Sequence, residues 1–246
     1  MSRSVLKVLL LLLAAVAGWG GLWLYEGRGT VVARETQAKA DAEQKVERLR
    51  GIARRLETDA RVARVIVTDR QAGAEGAART TLLWLEYTRD RRDLLPAKRF
   101  VIEGTAARVS GKVVQFQGTY AAENEPLAAH RLLLFKSIAG DKQAEKDALS
   151  IDPPGGVPDV YKGRDPRQAE LEAPYWRDFW KLAEDPQYRA AKGVQVLEPQ
   201  ATLPEGFQKG QVYTVILSPD GRSSVQAEPA DADLVKAIEE AARRGT

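Results

Sequence analysis

The chain of 246 residues contains no cysteine and a single histidine, His130. Without cysteine it can form no disulfide, no thiolate nucleophile, no cysteine-rich zinc site and no lipidated cysteine of the bacterial lipoprotein type. A Ser-His-Asp triad or a multi-histidine metal site could be built only around His130, and the neighbouring Ala129 and Arg131 offer no partner base. We therefore expect His130 on the surface or at the edge of a strand.

Other common sites are missing as well. No glycine-rich loop with a phosphate-binding lysine and no G-x-G-x-x-G segment follows a predicted strand, and Gly155-Gly156 lies among prolines, where it predicts a turn. Acidic pairs such as Asp231 with Asp233 fall on a predicted terminal helix, where we expect solvated charge. The sequence thus predicts no catalytic residue, no cofactor and no metal ligand, and we expect a protein that is not an enzyme.

A large excess of charge of one sign is also lacking. The formal net charge is +3, from 37 basic and 34 acidic residues. Without Arg3 and Lys7, which lie at the apolar N-terminal segment, 35 basic residues face 34 acidic ones. Nucleic-acid binding requires clustered positive charge, so we expect no nucleic-acid partner.

One long apolar run is present, from Val5 to Tyr25, and only Lys7 interrupts it. At about 1.5 Å per residue the run is long enough to cross a hydrocarbon layer of about 30 Å, and aromatic residues gather at its exit end. We interpret residues 1–29 as an uncleaved membrane anchor; the alternative is a signal peptide cleaved after Ala17. A signal anchor places the rest of this single-pass chain outside the cytoplasm, which is the periplasm in a two-membrane bacterium.

Residues 30–61 contain no proline and are dominated by strong helix formers, so we predict a helical stalk. Apolar residues recur there in alternating steps of four and three, the spacing of a coiled coil. They are Val46, Leu49, Ala53, Leu56, Ala60 and Ala63. Glu57 and Arg61 are expected to pair one turn apart on this helix. Two alternatives stay open: the stalk forms a homodimer, or it packs on its own C-terminal domain through Leu49, Ile52 and Leu56.

Residues 62–246 are predicted to form an extracytoplasmic, β-rich α+β domain, a small barrel or a sandwich, with two helices in its C-terminal half. The predicted strands are Val62–Val67, Thr80–Tyr87, Phe100–Glu103, Lys112–Gln117, Arg131–Phe135 and Val194–Leu197. Ser110-Gly111 predicts a turn between two strands. A hairpin is expected from Gln211 to Ala227, which reverses through Ser218–Gly221.

The prolines and glycines of Asp152–Pro158 break regular structure, and the polar stretch that follows as far as Pro174 predicts a long loop. A helix is then expected from Tyr175 to Ala191, kinked or restarted at Pro186. A last helix is expected to begin near Asp231.

Three aromatic residues, Trp176, Phe179 and Trp180, lie at i, i+3 and i+4 and therefore share one face of the predicted helix. One interpretation is that this face packs on the preceding sheet as core. The alternative is an aromatic-lined groove, in which these residues bind a peptide, glycan or lipid partner.

Five segments carry a resemblance to known proteins. They are Tyr175–Pro186, Gly193-Val194, Gly210–Gly221, Leu132–Ile138 and Val157–Tyr161. Over roughly residues 100–225 the chain resembles the C-terminal part of bacterial single-pass membrane proteins of unassigned function. The resemblance implies nothing catalytic.

These features favour a membrane-anchored extracytoplasmic protein with a structural or assembly role in the cell envelope, whose partner is an unknown envelope protein. The alternative is a binding or sensing module with an apolar or aromatic-lined groove for a ligand or peptide. A pocket with converging carboxylates would favour an enzyme instead.

Overall fold

The computed structural model describes residues 34–57, 60–72, 78–88, 94–163, 165–204, 206 and 211–229. The chain divides into two compact units, Met1–Arg48 and Leu49–Thr246. Among the described residues, no helix is both long enough and apolar enough to cross a membrane. The predicted span from Val5 to Tyr25 and the predicted helix after Asp231 lie outside the described residues, so both stay predictions.

Helix α1 comprises residues 34–56, of which 49–56 belong to the second unit. The other helices are α2 (Gly118–Glu123), α3 (Pro166–Glu184) and α4 (Pro186–Ala191), and short 3-10 turns lie at Glu125–Leu127, Glu145–Asp147 and Asp159–Tyr161. The strands are β1 (Arg61–Ala72), β2 (Ala78–Glu86), β3 (Lys98–Glu103), β4 (Ala107–Gln115), β5 (Arg131–Gly140), β6 (Leu149–Ser150), β7 (Gln195–Leu197), β8 (Gln200–Leu203), β9 (Gln211–Leu217) and β10 (Ser223–Pro229).

These strands form two antiparallel sheets. The first has the order β10-β9-β1-β2-β3, and the second has the order β6-β5-β4-β7, with β8 also paired to β4. The predicted α+β class with a β-rich domain is thereby confirmed. The predicted hairpin is confirmed too, because β9 pairs with β10 and the Gly221 amide donates to the carbonyl of Ser218 at 3.0 Å.

The main apolar core contains side chains from both sheets. Alternate residues of β1, Ala63, Val65 and Val67, are buried in it, as the two-residue repeat of a strand requires, while Ile66 on the opposite face is buried in a smaller apolar cluster. Trp84 of β2 meets Phe135 of β5 edge to face, with ring centroids 4.8 Å apart. This contact between the sheets adds aromatic attraction to the burial of apolar area.

A second core lies on the other face of the second sheet, where helices cover it. Its buried members come chiefly from helices α1, α2 and α3, from strands β4 and β5, and from the turns at Glu125–Leu127 and Asp159–Tyr161. They include Leu49, Ile52, Leu56, Val114, Phe116, Leu132, Leu134, Trp176, Phe179 and Leu182. The end of α1 therefore packs on its own domain through Leu49, Ile52 and Leu56. This packing is one of the two alternatives given above for the stalk.

The predicted turn at Ser110-Gly111 is wrong, because both residues lie inside β4. The pairing of β4 with β5 shifts register between them, which is the signature of a β-bulge. The Gly111 amide donates to the carbonyl of Pro199 at 2.8 Å, and a Cβ at Gly111 would lie 3.2 Å from the methyl groups of Leu217. Pairing on both sides of the strand thus outweighs the local preference of Ser-Gly for a turn.

The predicted long loop is also wrong between Pro166 and Pro174, where the chain forms the first half of α3. Asp165 caps this helix by accepting a hydrogen bond from the Arg167 amide at 2.9 Å, and Pro166 occupies the first helical position, where proline is favoured. Pro174 lies inside the helix between the buried Glu172 and Trp176. The helix restarts at Pro186 after Asp185, as predicted.

Candidate functional site

A cleft of about 1340 Å³ opens in the second unit, where the end of α1 meets the first residues of β1 and β5 and the end of β2. Its wall is rich in charged side chains: Arg55, Glu57, Arg61, Arg64, Glu86 and Arg131 all line it. Apolar residues also line it, among them Val160, Tyr161 and Ile216. The cleft is therefore polar and mostly basic, unlike the apolar or aromatic-lined groove of the sequence-based alternative.

The floor of the cleft is built around Arg61, whose five N–H groups make five hydrogen bonds. Its Nε donates to Glu86 at 2.7 Å and one Nη donates to the same carboxylate at 3.1 Å. Both Nη atoms also donate to Asp152, and one donates to the carbonyl of Leu133 at 3.1 Å. The guanidinium can therefore offer no free hydrogen to a ligand.

The carboxylates of Glu86 and Asp152 also accept hydrogen bonds from groups other than Arg61. Trp84 Nε1 donates to Glu86 at 2.7 Å, and the Phe135 amide donates to Asp152 at 2.9 Å. Lys98 Nζ lies 3.9 Å from Asp152. This network joins β1 and β2 of the first sheet to β5 of the second, so we assign it a structural role.

Charge balance explains why the network can be buried. Burial alone would lower the pKa of Arg61, but the carboxylates of Asp152 and Glu86 outweigh it and raise that pKa well above its usual value. Arg61, Glu86 and Asp152 are each at most 4% exposed. The guanidinium also lies 4.8 Å from the Phe135 ring centroid, a favourable cation–π distance.

The position of Arg61 corrects a prediction. Helix α1 ends at residue 56 and Arg61 is the first residue of β1, so the helical pair of Glu57 with Arg61 does not form. Glu57 is exposed instead and lies on the wall of the cleft. The desolvated carboxylates of Glu86 and Asp152 are stronger partners for a buried guanidinium than one exposed glutamate could be.

The rim of the cleft carries two arginines that are not part of this network. Arg64 Nη1 donates to the Tyr87 hydroxyl at 3.4 Å, and its guanidinium lies 5.5 Å from the Tyr87 ring centroid. Arg131, the first residue of β5, is exposed. Within the described part of the chain, neither arginine forms an ion pair.

A strained residue precedes Arg131 at this rim. Ala129 has a φ of 65°, and it is the one non-glycine residue with positive φ among those described. The next residue, His130, contacts the carbonyl of Ala128 through Nδ1 at 3.1 Å and is partly exposed, close to what the sequence predicts. Such strain persists only where the surrounding structure fixes it.

Arg55 connects the cleft to the helices. Its Nε donates to the carbonyl of Tyr161 at 3.0 Å, and its Nη2 pairs with the buried carboxylate of Glu172 on α3. Burial raises the pKa of Tyr161 to about 12, and its hydroxyl donates to the carbonyl of Leu133 at 2.9 Å. Tyr161 therefore stays protonated and acts as a fixed wall of the cleft.

The structure buries all three aromatic residues singled out by the sequence. Trp176, Phe179 and Trp180 are 1%, 0% and 5% exposed. Trp180 Nε1 donates to the carbonyl of Gly156 at 2.6 Å, and Trp176 stacks on Tyr161 at 5.7 Å between centroids. This is the core packing that the first interpretation describes, and these residues do not line the cleft.

Asp178 lies between two tyrosines and joins three helices. The hydroxyls of Tyr120 on α2 and Tyr188 on α4 each donate to it at 2.7 Å. The hydrogen bond to Asp178 and partial burial raise the pKa of Tyr188 to about 12. The pKa of Tyr120 is raised well above its usual range, chiefly by burial and in addition by the hydrogen bond to Asp178. We assign this cluster to stability.

The cleft and the Arg61 network were not predicted. From the sequence, Asp152 belongs to a predicted break in regular structure and Arg61 to the predicted stalk helix. The one local signal was Glu86, a charge that closes the apolar run Thr80–Leu85 and so needs a partner if it is buried. No group of three or more metal-ligating side chains occurs in the ranges described above.

Comparisons with protein-family models, curated proteins and solved structures find no match for this chain. The resemblance of residues 100–225 to single-pass membrane proteins therefore stays a prediction.

Proposed function

We propose that the protein is a membrane-anchored extracytoplasmic component of the cell envelope with a structural or assembly role, and that it is not an enzyme. In this proposal Val5 to Tyr25 crosses the membrane once, and the domain that follows binds an unidentified envelope protein. The length of that apolar run and its single charge, Lys7, support the anchor.

The observation that carries the proposal is the burial of the end of α1. Leu49, Ile52 and Leu56 are at most 2% exposed, and Arg55 is ion-paired with Glu172 of α3. Residues 49–56 are therefore part of the folded domain itself and are fixed in it by core packing. Such a helix-supported fold suits a domain whose task is to hold a partner.

The use of the buried charges supports a role other than catalysis. Arg61 donates hydrogen bonds to both Glu86 and Asp152. Lys112 Nζ donates to the carbonyl of Ala183 at 2.7 Å and lies 3.1 Å from the carboxylate of Glu184. These buried charged side chains connect strands and helices of the domain. General acid–base catalysis needs a group within reach of a substrate proton.

The proposal is tested on the full chain in its native membrane. A reporter fused after Thr246 should be active only outside the cytoplasm, the first residue should be Met1 or Ser2, and carbonate washing should leave the protein in the membrane. Crosslinking in intact cells should join it to the same envelope protein in repeated preparations.

A matched control replaces residues 1–29 by a cleavable signal peptide, which should release the domain without unfolding it. Recovery of the native protein with Gly18 as its first residue, or complete release by carbonate, would contradict the anchor. Stable anchoring without any crosslinked partner would contradict the assembly role.

A further inference from the structure

We propose that the cleft binds an acidic segment of a partner polypeptide through Arg64 and Arg131. The inference rests on the proposed assembly role only in that the ligand belongs to a partner protein. It does not depend on the membrane anchor.

The first support is the distribution of charge around the cleft. Arg55 is ion-paired with Glu172, and Arg61 is ion-paired with Glu86 and Asp152. Arg64 and Arg131, from different sheets, face the same cleft and form no ion pair with any described residue. A guanidinium without an acid partner offers a planar pair of donors that matches a carboxylate.

The second support is that both arginines stand on fixed backbone. Arg64 lies in β1 between strands β2 and β9, and the Tyr87 ring supports its guanidinium. Arg131 follows a turn in which the His130 amide donates to the carbonyl of Leu127 at 3.0 Å and Ala129 is held at positive φ. A fixed backbone under both arginines limits the conformational entropy that they lose on binding.

The third support is size. The volume of about 1340 Å³ exceeds the roughly 300–1,000 Å³ of small-molecule pockets, and the cleft is open to solvent. An extended polypeptide advances about 3.3 Å per residue and can follow such a cleft with several side chains. Half-buried Val160, Tyr87 and Ile216 provide apolar surface for the residues between its carboxylates.

The fourth support concerns the class of anion. Glu57 is exposed on the same wall and would repel a dense polyanion such as a nucleic acid. A peptide with separate carboxylates can place them on Arg64 and Arg131 and keep them away from Glu57. Charge complementarity therefore favours an acidic polypeptide over a nucleic acid.

The test measures peptide binding to the full chain, purified in detergent, by fluorescence anisotropy at low salt. The probe is a fluorescein-labelled peptide of glycine, serine, leucine and evenly spaced glutamates, and its control has glutamine at every glutamate. We expect the glutamate peptide to bind roughly tenfold or more tightly than the glutamine peptide. We expect R64Q/R131Q to remove that difference.

The matched control is R99Q/R177Q, which removes the same charge from two exposed arginines outside the cleft and should leave binding unchanged. Melting temperatures of both double variants establish that they fold. Equal affinity for the two peptides, no binding of either, or binding that survives R64Q/R131Q would overturn the inference.

The same variants separate this inference from the proposed function. If the chain crosslinks to the envelope partner in cells but shows no binding of the glutamate peptide that depends on Arg64 and Arg131, the cleft inference fails while the assembly role stands. If the glutamate peptide binds through both arginines but no partner is ever crosslinked, the acidic-ligand cleft stands and the assembly role fails.

Discussion

Arg61 and Asp152 lie 91 positions apart in the sequence and form two hydrogen bonds beneath the cleft. Arg61 is the first residue of β1, the central strand of the first sheet. Asp152 follows the short strand β6 of the second sheet. Their contact therefore fixes the two sheets to each other at one end. It also neutralises the guanidinium of Arg61, one of the charged groups that line the cleft.

Removing Arg61 should be strongly destabilising. R61M leaves Glu86 and Asp152 buried without a cation, which costs roughly 3–5 kcal/mol of unfolding free energy. Urea unfolding of the full chain in detergent measures the loss. R99M, at an exposed arginine of β3, should change stability by no more than about 0.5 kcal/mol, and equal effects would show that the network contributes nothing special.

Truncating the aromatic face should affect folding first. W180A removes a side chain that is 5% exposed, and the expected cost is roughly 3–5 kcal/mol. L171A removes an apolar side chain on the same helix that is 51% exposed, and should cost about 0.5 kcal/mol or less. An unchanged melting temperature of W180A together with lost partner crosslinking would instead favour the aromatic-lined groove.

Two glycines with positive φ should respond differently to alanine. At Gly118, with φ 64°, a Cβ would lie 2.7 Å from the carbonyl oxygen of Gly193, whereas at Gly155, with φ 83°, it would meet nothing within 4 Å. Left-handed backbone costs alanine about 1 kcal/mol at either position, and only G118A adds a clash with backbone. Thermal unfolding should therefore rank G118A as clearly less stable than G155A; the reverse order would contradict the close approach of Gly118 and Gly193.

Cysteines introduced at two adjacent positions of α1 should differ in reactivity, because one side chain is buried and the next is exposed. Because the chain has no cysteine, L49C and R50C each carry a single reactive group. Leu49 is 1% exposed and Arg50 is exposed, so a maleimide should modify R50C within minutes and L49C far more slowly. Similar rates at both positions would contradict the packing of α1 on the domain. Disulfide crosslinking of L49C would favour the homodimer.

Alkaline pH should weaken the link between α2, α3 and α4. The pKa of Tyr188 is about 12 in the folded protein against 10.0 for an ordinary tyrosine, so its hydrogen bond to Asp178 contributes fully below about pH 10. That contribution is lost as the pH rises through 12. Absorbance at 295 nm should show two tyrosines that ionise near pH 12, Tyr161 and Tyr188, and one fewer in Y188F. A midpoint near 10 for Tyr188 would contradict the hydrogen bond.

Elements with a strong local pattern were predicted well. The alternating valines of β1, the apolar run of β2 and the Pro-Asp-Gly reversal between β9 and β10 each specify local structure through side-chain period or turn chemistry. The aromatic spacing of Trp176, Phe179 and Trp180 likewise specified one helix face. It did not decide between core and groove, because both require the same face.

Elements whose local pattern conflicts with long-range pairing were predicted poorly. Ser110-Gly111 favours a turn, yet β4 continues through it because β5 and β8 pair on its two sides. The polar stretch before Pro174 looks like a loop, yet the Asp165 cap and the burial of Glu172 against Arg55 make it helical. Both outcomes depend on partners that are far away in the sequence.

The sequence by itself determined where strands such as β1 and β2 lie, where the chain reverses between β9 and β10, and which aromatic residues share one helix face. These features depend on neighbours a few positions apart. Only the tertiary structure decided that Arg61 meets Asp152 and Glu86, and that Arg64 and Arg131 border one cleft. The physical reason is that a guanidinium has no preference among the chain's 34 carboxylates until sheet pairing and core packing bring particular ones within hydrogen-bonding distance.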